Sequence, residues 1–356
     1  SAVPIGLSNV TDIAAGAYGH IDGLLVIRHG RIAVDRTWDH DYDLIYGKPA
    51  HEKGPLNAQD PSGPYNYFNP WWHPYYRRGD LHSLQSVTKT VVSAVVGAAR
   101  TRGDFPSLDT RALEYFDDRE VANIDERKRR LTIRHLLTMT GGFDWDEDLP
   151  YDDPKNSCSI MEASADWARY AIDRPMAHEP GEKFRYNSGE SVLLAHIFRA
   201  ATGRDIEEYA AEHLFAPLGI REWFWKRTPT GLVDGEGGLY LKARDLAKIA
   251  YLFLRAGRWE GRRVLTEDWV EASVSPYRPE PDEGWFYGYK WWLIPYGEGG
   301  SALAWAGSGF GGQLAIVLAR EDMVIVVTAW NILAGKRLGH EEIIRRVRSA
   351  LGASGE

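Results

Sequence analysis

Apolar and polar positions follow two rhythms along this chain. Near the start, "GLLVIRHGRIAVDRTW" alternates on either side of His29-Gly30, which predicts a β-hairpin. From 84 to about 220 the period is helical, in "SVTKTVVSAVVGAARTRG", "IRHLLTMTGG", "ADWARYAIDR" and "SGESVLLAHIFRAATG", three of them closed by glycine. A further helix is predicted in "ARDLAKIAYLFLRAG". The last third returns to strand-like runs, "GWFYGYKWWLI", "ALAWAG", "GGQLAIVLAR" and "MVIVVTAW", before a final helix near "GHEEIIRRVRSAL". Residues 40–80 lack a period and are rich in Gly, Pro and Tyr; a loop of this length is usually functional, and its aromatics argue against disorder. Strands at both ends around a helical middle predict an α+β protein. Residues 1–80 and 222–356 would form one domain, 81–221 a mainly helical insertion, with a site in the cleft between them.

Composition narrows the functional classes. The 356 residues are 44% hydrophobic and 26% charged, an ordinary globular balance, and the formal charge of -8 with no basic stripe beyond "DERKRR" excludes a nucleic-acid partner. One cysteine, Cys158, permits no intrachain disulfide and has no base beside it in sequence. No apolar run is long enough to span a membrane. The opening "SAVPIGLSNV" has neither a basic region nor an apolar core, so the expectation is a cytoplasmic protein without a signal peptide. The eleven histidines form no H-E-x-x-H, and no G-x-S-x-G occurs, so zinc hydrolase and α/β-hydrolase readings lack support. His135 reads as structural.

The chemistry concentrates at "LHSLQSVTKTVVSAVVGAA". Ser86 and Lys89 are three apart, so a helix places hydroxyl and amine on one face within a turn. A serine needs a base to become a nucleophile, and a lysine kept neutral by desolvation can serve. The alternative is an N-cap serine beside a solvated lysine. The run after Lys89 is apolar on nearly every face, as in a buried helix, and this favours the catalytic reading. A third group that passes the proton on is a tyrosine, either Tyr67 in "YFN" or Tyr186 in "EPGEKFRYNSGES". Tyr186 is preferred because it stands at a tight turn before a buried helix. The segment "WAGSGFGGQLAIVLAR" matches G-x-G-x-x-G as a string, but strands come after it instead of a helix. Its glycines then mark a strand edge that a substrate carbonyl can approach, where the Ser308 amide joins the Ser86 amide as an oxyanion hole.

Taken together, Ser86-Val87-Thr88-Lys89, Tyr186-Asn187-Ser188 and Trp305-Ala306-Gly307 stand in the order of the three motifs of the serine β-lactamase and penicillin-binding protein superfamily, which the chain resembles. The segments "LTIRHLLTMTGGFDW", "LFAPLGI" and "GGLYLKARDLAKIAYLFLRAG" are similar to its connecting regions. The resemblance implies an antiparallel sheet flanked by helices, catalytic Ser86, Lys89 and Tyr186, and substrate contacts at Ser188, Trp305, Gly307 and Gly309. It implies no metal and no cofactor. Ser188 and Trp305 depart from the usual asparagine and from the lysine or histidine, a combination that looks like the branch of 6-aminohexanoate-dimer hydrolases and β-lactamase-like esterases. The expectation is therefore a serine hydrolase acting on a small ester or linear amide through an acyl-enzyme. Alternatives are a β-lactamase or D-Ala-D-Ala carboxypeptidase, or a noncatalytic sensor that is acylated and stalls. Arg185 and Arg77 are candidates to replace the missing cation, and Trp71, Trp72, Trp291 and Trp292 to rim a cleft. The oligomeric state is not legible.

Overall fold

The computed structural model describes residues 16–352, apart from 52, 53, 55, 58, 61, 118, 280–283 and 334–336. The segment "SAVPIGLSNV" lies outside the described residues. The predicted hairpin is β1 (Ile21–Arg28) and β2 (Arg31–Thr37). His29 and Gly30 both take positive φ, 50° and 71°, the twist that a two-residue hairpin connection demands. Six later strands join it: β3 (Arg278–Pro279), β4 (Phe286–Tyr287), β5 (Trp292–Tyr296), β6 (Ala302–Gly309), β7 (Gln313–Leu318) and β8 (Met323–Ala329). Every pairing is antiparallel, in the order β2-β1-β8-β7-β6-β5-β4-β3. Both ends of the chain thus share one sheet, because β1 pairs with β8 along its whole length.

Side-chain alternation gives the central strands two buried faces. On β7, Leu314, Ile316 and Leu318 pack with Ile343, Ile344 and Val347 of the helix His340–Ala350. Ala315 and Val317 face the larger core instead, with Val91, Val95 and Leu246. That core surrounds α1 (Val87–Arg102), in which every residue from Val87 to Ala99 is buried. Its β-branched content is poor for an isolated helix, so burial on all sides is what holds it. Gly103, at φ 80°, closes it with an N–H to the carbonyls of Ala99 and Arg100. Helix α2 (Ser188–Thr202) starts where the Asn187 side chain accepts the Glu190 N–H and stops at Gly203, φ 70°. The segment "IRHLLTMTGG" yields only one short helix, Ile133–Leu137, because Met139 turns the chain at φ 55°. The run "GWFYGYKWWLI" is likewise broken into β4 and β5 around Lys290, φ 62°. The described part of the segment 40–80 holds one short α-helix, Tyr42–Tyr46, and is anchored by aromatics: Tyr42, Tyr46, Tyr65 and Tyr67 are all buried. No helix among the described residues is long and apolar enough to cross a membrane.

Candidate active site

A two-residue strand, His82–Ser83, pairs with Leu239–Leu241 and delivers the chain to α1. Gln85 then adopts φ 48°, a conformation costly for a side chain of this kind, immediately before Ser86. Ser86 occupies the N-cap position of α1, yet its hydroxyl makes no capping bond. Instead Lys89 Nζ donates to Ser86 Oγ at 2.8 Å. Lys89 is 1% exposed, so the alternative of a capping serine beside a solvated lysine does not describe this helix start.

Desolvation is not the only influence on the Lys89 amine. Its Nζ also donates to the Glu236 carbonyl at 2.8 Å and lies 3.3 Å from Glu236 Oε2. Burial opposes the ammonium, but Tyr186 in its ionised form, Glu236 and Glu147 favour it, and together they outweigh burial and hold the Lys89 pKa above the ordinary lysine value. Glu236 escaped sequence reasoning. The available signal was "VDGEGGLYL", an acid set among glycines directly before a buried strand. The turn is built by Asp234, whose Oδ1 accepts the N–H groups of Glu236 and Gly237, both at 3.0 Å. A Cβ at Gly238 would meet the Asp234 side chain at 2.6 Å, so the loop closes that tightly only with glycine there.

Tyr186 stands over the same lysine, with Lys89 Nζ 5.2 Å from its ring centroid, and it stacks on Trp292 at 5.6 Å. Burial raises its pKa above the ordinary tyrosine value, against the lowering pull of Lys89 and of hydrogen bonds with Ser86 and Lys89. Tyr67, the other candidate, is buried and donates to Glu162. Ser86 and Tyr186 open onto a cleft of about 1230 Å³, walled by Tyr151, Trp285, Trp292 and Phe310 and shared by Ser308 and Gly309. Two glycines explain how β6 comes so near the nucleophile. A Cβ at Gly307 would meet Thr90 Oγ1 and Val87 Cγ1 at 3.0 Å, and one at Gly309 would lie 2.4 Å from the Leu84 carbonyl oxygen.

Other predicted contacts fall elsewhere. Ser188 is fully buried and donates both its hydroxyl (2.6 Å) and its N–H (2.8 Å) to Glu147, so it is not among the residues lining the cleft. Glu147 also accepts from Trp145 Nε1 and the Tyr151 hydroxyl, both at 2.8 Å, and thereby ties the Tyr186 turn to a cleft wall. Trp305 packs half-buried against the core around α1, and Gly307 is buried; neither lines the cleft. Arg185 pairs with Asp148 at 2.6 Å, and Arg77 lies over the Tyr76 ring. Of the tryptophans, Trp292 lines the cleft, whereas Trp291 is buried and Trp71 and Trp72 lie apart from it. His135 closes a capping box on Thr132, in keeping with a structural part.

Cys158, Glu162 and Glu236 bring one possible ligand atom each within 4.8 Å of one another. Burial pushes the Cys158 thiol and the Glu162 carboxyl towards their protonated forms, and Lys89 already occupies Glu236, so this donor set suits a proton network better than a cation.

The sheet, the helical core and this serine–lysine–tyrosine cluster define a chain of the β-lactamase type. The Beta-lactamase family model matches residues 14–337, and the chain belongs to that family. It is 28% identical over 281 residues to the 6-aminohexanoate-dimer hydrolase of Paenarthrobacter ureafaciens, covering 72% of this chain and 69% of that one. Among solved structures it is similar to EstCE1, a hydrolase with promiscuous acyltransferase activity, with a TM-score of 0.69 at 15% identity over 97% of this chain and 98% of that one. The D-stereospecific amidohydrolase from Streptomyces sp. superimposes with a TM-score of 0.66 at 16% identity, covering 99% of this chain and all of the other. These relatives are hydrolases of the same fold, one of them named for an amide substrate.

Proposed function

We propose that this chain is a serine hydrolase that cleaves a small ester or a linear amide through an acyl-enzyme on Ser86. One observation carries the reading: a serine hydroxyl released from its capping role bonds to a buried lysine at 2.8 Å and opens onto a cleft lined by aromatic residues and by charged ones such as Arg337, Glu341 and Arg345. Its likeness to the 6-aminohexanoate-dimer hydrolase supports the linear amide as a substrate class.

In the proposed cycle Lys89 remains an ammonium and Tyr186 exchanges the proton. The Ser86 proton moves to the Tyr186 oxygen as Oγ bonds to the substrate carbonyl, with the Ser86 and Ser308 amides holding the oxyanion. Tyr186 then gives that proton to the departing alcohol or amine, and the acyl-enzyme forms. Water reverses the sequence and releases the acid. Because the base form of Tyr186 has a pKa above the ordinary tyrosine value, kcat/KM rises with pH through the neutral range into the alkaline one.

The test is labelling and turnover together. A serine-directed fluorophosphonate modifies Ser86 stoichiometrically, and Ser86→Ala abolishes labelling and lowers p-nitrophenyl butyrate hydrolysis by about 10³-fold or more. Label found on Ser308 in that variant moves the nucleophile. Cephalosporin hydrolysis as fast as that of the ester would replace this substrate class with β-lactams.

A further inference from the structure

Behind Lys89 lies a set of buried acids that the proposed cycle does not use. Glu236 and Glu162 hydrogen-bond each other, and Tyr67 donates to Glu162 from the far side. With Ser86, Gln85, Cys158 and Phe310 they enclose a space of about 20 Å³, room for a single water. Lys89 Nζ has three acceptors within hydrogen-bond distance: Ser86 Oγ at 2.8 Å, the Glu236 carbonyl at 2.8 Å and Glu236 Oε2 at 3.3 Å. One residue thus supplies two of these three acceptors, and the remaining one is the nucleophile.

We infer that Glu236 is a positioning residue, which fixes Lys89 as an ammonium pointed at Ser86 and so leaves Tyr186 as the group that takes the serine proton. The inference rests on the serine-hydrolase reading above. Glu236 touches neither the reacting atoms nor the cleft; it acts through Lys89. Its own charge is set by its neighbours. Burial opposes it, but Lys89 and the hydrogen bond from Glu162 outweigh burial and hold its pKa below the ordinary carboxylate value, while Glu162 is driven well above it by burial and by Glu236. The pair is thereby pushed apart, Glu236 towards the carboxylate and Glu162 towards the protonated form. The other ionisable groups acting on Lys89 are Tyr186, Glu147 and Cys158; Lys290 is within electrostatic reach, and Lys226 and Asp234 act on the Glu236 side.

The experiment compares Glu236→Gln, Glu236→Asp and the double variant Glu162→Gln/Glu236→Gln with wild type, by pH profile of ester hydrolysis and by thermal melting. Without the carboxylate, Lys89 loses its proton at lower pH and Tyr186 loses the cation that favours its phenolate. In Glu236→Gln the alkaline limb of kcat moves down by one pH unit or more, and kcat falls about tenfold or more with KM within threefold. The double variant moves the limb further, because Glu162 can no longer ionise in its place. Glu236→Asp restores the wild-type limb. A folded Glu236→Gln and a folded double variant that both keep the wild-type limb and kcat overturn the inference. If neither Gln variant folds, the Asp variant decides: an unmoved limb supports it, and a limb displaced by a unit despite the retained charge overturns it. Fluorophosphonate labelling of wild-type Ser86 separates the two claims, since its absence sinks the hydrolase reading, whereas labelling with unmoved limbs sinks only the part given to Glu236.

Discussion

Lys89 and Lys290 are equally buried, each 1% exposed, and each is paired electrostatically with a buried glutamate, yet their environments push in opposite directions. Lys89 has a carboxylate oxygen at 3.3 Å and two further acceptors, and its pKa is held up. The Lys290 ammonium finds only the Met139 sulfur at 3.3 Å and forms no ion pair with any described carboxylate within 4 Å. Burial lowers its pKa to about 7, only partly offset by Glu190. Glu190 in turn accepts a single N–H, from Gly141 at 3.0 Å, keeps one buried oxygen without a partner, and is raised by burial to about 8. Burial by itself therefore does not decide whether a lysine is charged. The surrounding groups do: at Lys89 the ionisable Tyr186 together with a carboxylate within bonding distance outweighs the desolvation that lowers the Lys290 pKa.

The largest expected effect comes from removing the charged member. Lys89→Met leaves the Glu236 carboxylate buried without its cation, which costs roughly 3–5 kcal/mol of stability, and it strips the proton-transfer system of its ammonium. Ester turnover falls by about 10³-fold or more. Urea denaturation and initial rates on the same preparation check both, and a folded Lys89→Met enzyme with rates within tenfold of wild type would contradict the assignment.

The same contrast marks what could be read from the chain. The strands, the hairpin and the proximity of Ser86 to Lys89 were legible because each depends on a local period, two for strands and a turn of helix for the pair. The ionisation of Lys89 was not, since Glu236 lies 147 positions away along the chain and reaches it through a turn that only folding assembles. Ser188 shows the reverse case. Its motif position implied a substrate contact, but Glu147, from another loop, takes both of its donors. Trp305 sits in the motif order expected of a cleft residue, and strand alternation places it with Gly307 against the α1 core while Trp292 and Trp285 wall the cleft. Partner choice among buried polar groups is a long-range matter, and a linear pattern carries little of it.

A smaller effect, of opposite sign, is expected at Lys290. Its folded pKa of about 7 lies below the unfolded value near 10.5, so the unfolded chain binds more protons between those limits. Stability due to this group is present above pH 10.5 and is lost as pH falls towards 7. Lys290→Met removes the penalty and keeps an apolar stem beside Met139, so the variant gains about 1–3 kcal/mol at pH 7.5 and nothing near pH 10.5. Ester turnover stays within threefold. Urea midpoints at the two pH values test this, and a variant less stable than wild type at pH 7.5 would mean that Lys290 is paired and charged after all.

The smallest effect belongs to the other half of that pair. Glu190 has a folded pKa of about 8 against an unfolded value near 4.5, so here the folded protein binds more protons across the interval. Its contribution to stability is complete below pH 4.5 and declines as pH rises to 8, a slope opposite to that of Lys290. Near neutral pH the two windows meet, and each group when charged favours the charge of the other, which tempers the loss. Glu190→Gln keeps an acceptor for the Gly141 N–H and removes the titration, so the variant is more stable than wild type by about 1 kcal/mol at pH 8 and nearly equal to it at pH 5. The difference between the urea midpoints of the two proteins should widen steadily over that range. A difference that stays constant with pH would show that Glu190 is ionised throughout, and that the weaker of the two lysine sites is an ion pair like the stronger one.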